Sequence, residues 1–162
     1  MTLFTEEWLI PDKYVQAVHK VLGRIDLDPN SSEELNQQIK AKMFYQDHTY
    51  SLDQKWYGTV FLSFPQTTVD LPFFVDKLIS EWFLGRVEQA ILLVPNTTEA
   101  RWFQCLASKI DAICFVKGRV GFFSPYFKCT YSQGNLFCYF GNQVHLFMRE
   151  FSVFGCTTCL TI

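Results

Sequence analysis

Three short polar segments interrupt the apolar runs of this chain: Asp28-Pro29-Asn30, Ser63-Phe64-Pro65-Gln66 and Pro95-Asn96-Thr97-Thr98. Each follows a β-type stretch, so each brings acids, hydroxyls or amides to the carboxyl end of a strand. Open α/β sheets bind their ligands at that edge. An acid there suits a ribose hydroxyl or an amino-acid ammonium, and it equally suits a helix cap beside a turn-forming proline. The chain carries no glycine-rich cradle of the GxGxxG or GxxxxGK type, so a ligand held by its phosphates is disfavoured.

Periodicity defines the elements that must position these corners. Asp12–Leu22 reads as a helix with Tyr14, Val15, Val18, Val21 and Leu22 on one face, ended by Gly23. Arg24–Pro29 alternates as a short strand whose last acid, Asp28, is expected to project beyond the sheet. A polar helix follows over Ser32–Met43, capped from Asn30-Ser31-Ser32, and then a polar loop over Tyr45–Lys55. Trp56–Leu62 is the strand that leads into the Ser63 corner. Val69–Phe83 reads as a helix with Phe73, Phe74, Leu78, Ile79 and Phe83 on its apolar face. Gln89–Val94 is a strand covered on both faces, and Glu99–Ser108 a helix with Trp102 and Phe103 in the core. Strand Ala112–Val116, an irregular loop over Ser124–Gly134, strand Asn135–Phe140, helix Asn142–Arg149 and strand Val153–Ile162 complete the chain. Strand and helix in alternation predict one α/β domain over residues 1–162, a mostly parallel sheet with helices on both faces.

Composition narrows the partners. Hydrophobic residues make up 49% and charged residues 19%, values of an ordered globular chain. The net charge of −2 gives no global basic field, so any contact with nucleic acid must be local. No run reaches the roughly 18–20 apolar residues of a membrane span. Met1–Glu7 lacks the basic and apolar regions of a signal peptide, which predicts a cytoplasmic protein. The six cysteines (105, 114, 129, 138, 156, 159) lie mostly in apolar runs and are expected as small buried hydrophobes. Cys156 and Cys159 form one isolated pair on an extended segment, so no metal site is expected. His19, His48 and His145 lack partners at metal or triad spacing and are assigned packing or surface roles.

A series of short segments then carries a resemblance. Glu7-Trp8-Leu9-Ile10-Pro11, Ile25-Asp26-Leu27-Asp28-Pro29 and Leu52–Gly58 precede the Ser63 corner. Leu92-Leu93-Val94-Pro95 with Thr97-Thr98, Trp102-Phe103 and Lys117–Phe122 follow it. In this order and spacing the chain resembles the phage-type DNA adenine methyltransferase family. The resemblance implies a Rossmann-like methyltransferase fold, S-adenosylmethionine as cofactor, DNA as partner and methyl transfer to the exocyclic amine of adenine. Trp8, Pro11, Asp26, Asp28 and Pro29 would face the cofactor. Ser63, Phe64, Pro65 and Gln66 stand where the family has Asn-Pro-Pro-Tyr. In that motif the first side chain and the backbone of the second residue accept hydrogen bonds from the target amine, and the aromatic fourth residue stacks on the flipped base.

The corner departs from that pattern. Ser63 keeps an acceptor, as relatives that act on cytosine do. Phe64 restores a backbone donor and frees the dihedral that proline would lock. Gln66 has no ring and forfeits about 1–3 kcal/mol of base stacking, for which Phe64 or Tyr57 is the available substitute. Ile10 removes a hydroxyl on the cofactor side. Three outcomes stay open: adenine methylation, weakened or not; an inactive relative that binds cofactor or a partner; and transfer to cytosine or a non-DNA amine.

Overall fold

A computed structural model describes residues 8–126 and 130–160. In chain order the elements are α1 (Asp12–Leu22), β1 (Leu27–Asp28), α2 (Glu33–Ile39), β2 (Met43–Phe44), α3 (His48–Asp53), β3 (Gly58–Ser63) and α4 (Leu71–Phe83). Then come β4 (Val87–Pro95), α5 (Arg101–Ala107), β5 (Ala112–Val116), β6 (Val120–Phe123), β7 (Thr130–Gln133), β8 (Asn135–Phe140), α6 (Val144–Phe151) and β9 (Gly155–Cys159). Seven strands form one sheet in the order β2-β1-β3-β4-β8-β5-β9. β2, β1, β3 and β4 are mutually parallel, β8 runs antiparallel between β4 and β5, and β9 is antiparallel to β5. Five strands therefore share one direction and two oppose it.

Helices cover both faces, as the alternation predicted. Tyr14, Val18, Phe147 and Phe151 pack on Phe61, Ile91, Phe137 and Tyr139 on one side. Phe74, Leu78, Phe103 and Leu106 pack on Val60, Leu62, Leu92 and Phe140 on the other. The phenylalanine-rich composition is spent on ring contacts such as Tyr139–Phe147 at 5.2 Å and Phe147–Phe151 at 4.5 Å. The arrangement is that of a Rossmann-like methyltransferase fold.

Several boundaries differ from the sequence expectation, each for a definable reason. α2 stops at Ile39 because Lys40 adopts φ 57, and Met43 joins a strand beside Leu27 instead of the helix. The expected loop over Tyr45–Lys55 contains α3, whose cap Asp47 accepts the Tyr50 N–H at 2.7 Å. On α4 the buried face is Leu71, Phe74, Val75, Leu78 and Ile79, while Phe73 and Phe83 are exposed. The expected loop over Ser124–Gly134 contains β7, which forms a hairpin with β6, and Leu9 bridges to Phe123 at the end of β6. Cys114 and Cys138 are buried as expected, but Cys105, Cys156 and Cys159 are exposed. The last two lie on β9, which pairs on one side only with β5. Cys129, Glu7 and the final two positions of the predicted last strand fall outside the described residues. Among the described residues no helix is long and apolar enough to cross a membrane. Nor does any group of three or more His, Cys, Asp or Glu residues there come together to hold a metal ion.

Candidate active site

β3 lies between β1 and β4 in the sheet, so the Ser63 corner is flanked by Asp28-Pro29-Asn30 on one side and Pro95-Asn96-Thr97 on the other. The three polar segments thus share one sheet edge. Alternation along β3 turns Ser63 toward the α1 face and Phe64 toward the α4 face. The Phe64 ring is buried and packs on Phe74 with centroids 5.0 Å apart. Its backbone is not loosened by the absence of proline: the Phe64 N–H donates to the Leu93 carbonyl at 2.8 Å. On the other face of the same peptide group the Ser63 carbonyl accepts from Asn30 Nδ2 at 2.8 Å.

Two acceptors remain at the corner. The Ser63 hydroxyl makes no hydrogen bond among the described residues. Ser63 pairs with Leu93 in parallel register, so the next ladder bond would run from the N–H of residue 95 to the Phe64 carbonyl. Residue 95 is proline and has no N–H, which leaves that carbonyl without a strand partner.

Asp28 does not project beyond the sheet. It is fully buried, because the segment running into and out of β2 lies alongside and Tyr45 donates its N–H to the Asp28 carbonyl at 3.1 Å. Its Oδ1 accepts the Asn30 N–H at 3.2 Å, while Oδ2 has no donor at hydrogen-bonding geometry among the described residues. Burial pushes the carboxyl up to about 8, with the Asn30 amide and the Ser31 side chain pulling it partly back. Thr97 Oγ1 and Asn135 Oδ1 are likewise buried with no partner among the described residues. Asn135 opens β8 opposite Pro95 and donates Nδ2 to the Val94 carbonyl at 3.1 Å and the Pro65 carbonyl at 3.3 Å. An unpaired buried oxygen costs on the order of 1–3 kcal/mol, and three such oxygens lie at this edge.

The remaining predicted positions divide. Trp8 is buried in the layer on the α1 face, together with Ile10, and Pro11 leads into α1. The Ile10 N–H donates to Gln38 Oε1 at 3.1 Å. Asp26 lies at the opposite, amino-terminal edge: Oδ2 accepts the Thr59 N–H at 2.9 Å and Oδ1 pairs with Arg24 at 2.9 Å. A Cβ on Gly58 would fall 2.2 Å from Asp26 Oδ2, and Gly58 holds φ +75, so glycine is required there. Asp26, Arg24, Tyr57 and Arg86 line a cleft of about 760 Å³ at that edge. Tyr57 is therefore remote from the corner and the Phe64 ring is in the core, so neither replaces the ring that Gln66 lacks. A larger cleft of about 920 Å³, lined by Leu9, Asp12, His19, Gln38 and Phe123 among others, contains none of the corner residues. Neither cleft is lined by Ser63, Phe64, Pro65 or Gln66.

Sequence reasoning missed His48 and Asn135. His48 opens α3 with its ring between Asp70 Oδ2 and Asn30 Oδ1, each at 2.7 Å. These partners are 22 and 18 positions away, so no local pattern announces them. Asn135 had one visible sign, a polar residue opening an apolar run.

A comparison with curated proteins gave no match. The family described as DNA N-6-adenine-methyltransferase (Dam) matches residues 3–156, a span that includes the whole corner and every element around it except the end of β9. This match shows that the chain belongs to the DNA N-6-adenine-methyltransferase (Dam) family.

Proposed function

We propose that the chain transfers a methyl group from S-adenosylmethionine to the exocyclic amine of adenine in DNA at the Ser63–Phe64 corner. The observation that carries this reading is the pair of unengaged acceptors there, the Ser63 hydroxyl oxygen and the Phe64 carbonyl that Pro95 leaves out of the ladder. An exocyclic amine offers two N–H groups. Accepting both draws the nitrogen lone pair out of conjugation with the ring and fixes its direction. When bound, the cofactor supplies a methyl carbon activated by a positively charged sulfur.

The donor-poor edge suits that cofactor, which brings an ammonium, ribose hydroxyls and positive charge. Among the described residues, Asp28 Oδ2, Thr97 Oγ1 and Asn135 Oδ1 are buried acceptors without donors. Pro29 follows Asp28 in the same turn, Trp8 is buried on the α1 face and Pro11 caps α1, so these residues are assigned to the cofactor side. A bound cation favours ionised Asp28, so binding drives a proton off that carboxyl. Asp26 takes no part, being at the other edge. Gln66 holds the base without stacking, which makes DNA binding weak. With a net charge of −2, contacts to DNA are confined to local basic positions.

The test is transfer of labelled methyl from S-adenosylmethionine to unmethylated DNA, followed by nucleoside analysis. N6-methyladenine is the expected product. Label on cytosine, or cofactor binding with no transfer, would overturn the reading. Ser63→Ala should lower kcat about 100-fold while cofactor affinity stays nearly unchanged.

A further inference from the structure

We propose that His48 is a positioning residue that clamps the Ser63–Phe64 peptide through Asn30, an assignment that rests on the methyl-transfer reading of this corner. The peptide group is planar and is held at both of its polar atoms. Its carbonyl accepts from Asn30 Nδ2 at 2.8 Å and its N–H donates to Leu93 at 2.8 Å. The second bond exists only because residue 64 is not proline. The rigidity that a proline ring would supply by locking its own dihedral is supplied here by two hydrogen bonds and a buried phenylalanine ring.

Asn30 can serve only in one orientation. Its NH2 must face the Ser63 carbonyl, so its Oδ1 faces His48 Nε2, which must then donate. His48 Nδ1 faces a carboxylate oxygen of Asp70 at 2.7 Å, an acceptor, and must donate as well. The chain Asp70–His48–Asn30–Ser63 is complete only when both ring nitrogens carry hydrogens. It runs from the start of α4 through the first residue of α3 and the turn after β1 to the end of β3. The rings of Phe74 and Phe64 pack beside the imidazole, with centroids 5.0 and 6.1 Å away. Asp47, its neighbour in sequence, is committed to the Tyr50 N–H. His48 reaches the polar atoms of the peptide through Asn30, while its ring packs beside that of Phe64.

Two readouts on the full chain test this: hydrogen exchange of the Phe64 amide by NMR, and methyl-transfer kinetics. His48→Ala and Asn30→Ala should each speed Phe64 exchange about tenfold and lower kcat about tenfold, with KM for the cofactor unchanged. The double variant should be no worse than Asn30→Ala, because both residues act along one path. Asp70→Asn, on a half-exposed side chain, should move both readouts in the same direction by about threefold, and it serves if His48→Ala does not fold. Unchanged exchange in the variants overturns the clamp, and faster exchange with unchanged kcat overturns its role in positioning. A wild-type chain that transfers no methyl sinks the functional reading, while the exchange result still decides the clamp.

Discussion

Replacing Asp28 with Asn changes the charge at the sheet edge while keeping its shape. In the folded chain burial lifts the Asp28 carboxyl from 3.8 to about 8. The unfolded chain ionises near the lower value, so between the two the folded state holds a proton that the unfolded state has released. Linkage then makes wild-type stability fall as pH rises across that window. At about 1.4 kcal/mol per pKa unit, the window sets a ceiling on the order of 6 kcal/mol. Water entry and relaxation around a newly charged group bring the working value to about 2 kcal/mol. Asn carries no charge at any pH and keeps an oxygen for the Asn30 N–H. Asp28→Asn should therefore gain on the wild type between about pH 5 and pH 8, by about 4–8 °C in Tm for a chain of this size. Scanning calorimetry at constant ionic strength across that range measures it. A Tm difference that is flat with pH, or an Asn variant less stable than wild type at pH 8, would refute the argument and mean that Asp28 is held as a carboxylate. The same substitution reads the ligand. Binding of S-adenosylmethionine to the wild type at pH 7 should release close to one proton, seen as buffer-dependent heats, and Asp28→Asn should release none.

Pro95→Ala gives β4 an N–H aimed at the Phe64 carbonyl, so the ladder closes over the second acceptor. Tm should hold or rise slightly while kcat falls about tenfold; unchanged kcat would mean that this carbonyl does not receive the amine. Gln66→Tyr restores a ring at the base side and should lower KM for DNA about tenfold, within the range of one base–aromatic stack. No change in KM would show that position 66 does not face the base. Away from the site, burial pushes the Glu81 carboxyl up, but hydrogen bonds and charge from Arg86 and Lys77 outweigh it and hold it below its usual range. That stability is present above the ordinary carboxylate pKa and is lost as pH falls through the lowered one. Glu81→Gln should therefore lower Tm at neutral pH, with the gap closing in acid; a gap that persists there would assign the loss to packing.

Sequence alone determined the features that depend on neighbours along the chain. The helix Asp12–Leu22 and the strands Ala112–Val116 and Asn135–Phe140 were legible to the residue, because helical and strand periodicities are local and Gly23, at φ 77, ends the first helix. The same is true of the three polar corners and of the ordered segments that carry the family resemblance. Tertiary structure decided where the residues of those corners lie and what they bond. Asp28 is buried because β2 returns beside β1, and a two-residue strand with polar flanks gives no warning of which acid will lie at which edge. Asp26 thereby falls at the far end from Ser63. Phe64 reads as a loss when only its own type is considered. The partner strand reverses this, since Leu93 takes its N–H and Pro95 withholds a donor from its carbonyl. His48 acquires its hydrogen-bond partners, Asp70 and Asn30, only because the fold brings them to 2.7 Å from distant parts of the chain. Hydrogen-bond partnership at a site is set by strand register and by loops that meet in space, and neither is encoded in local periodicity.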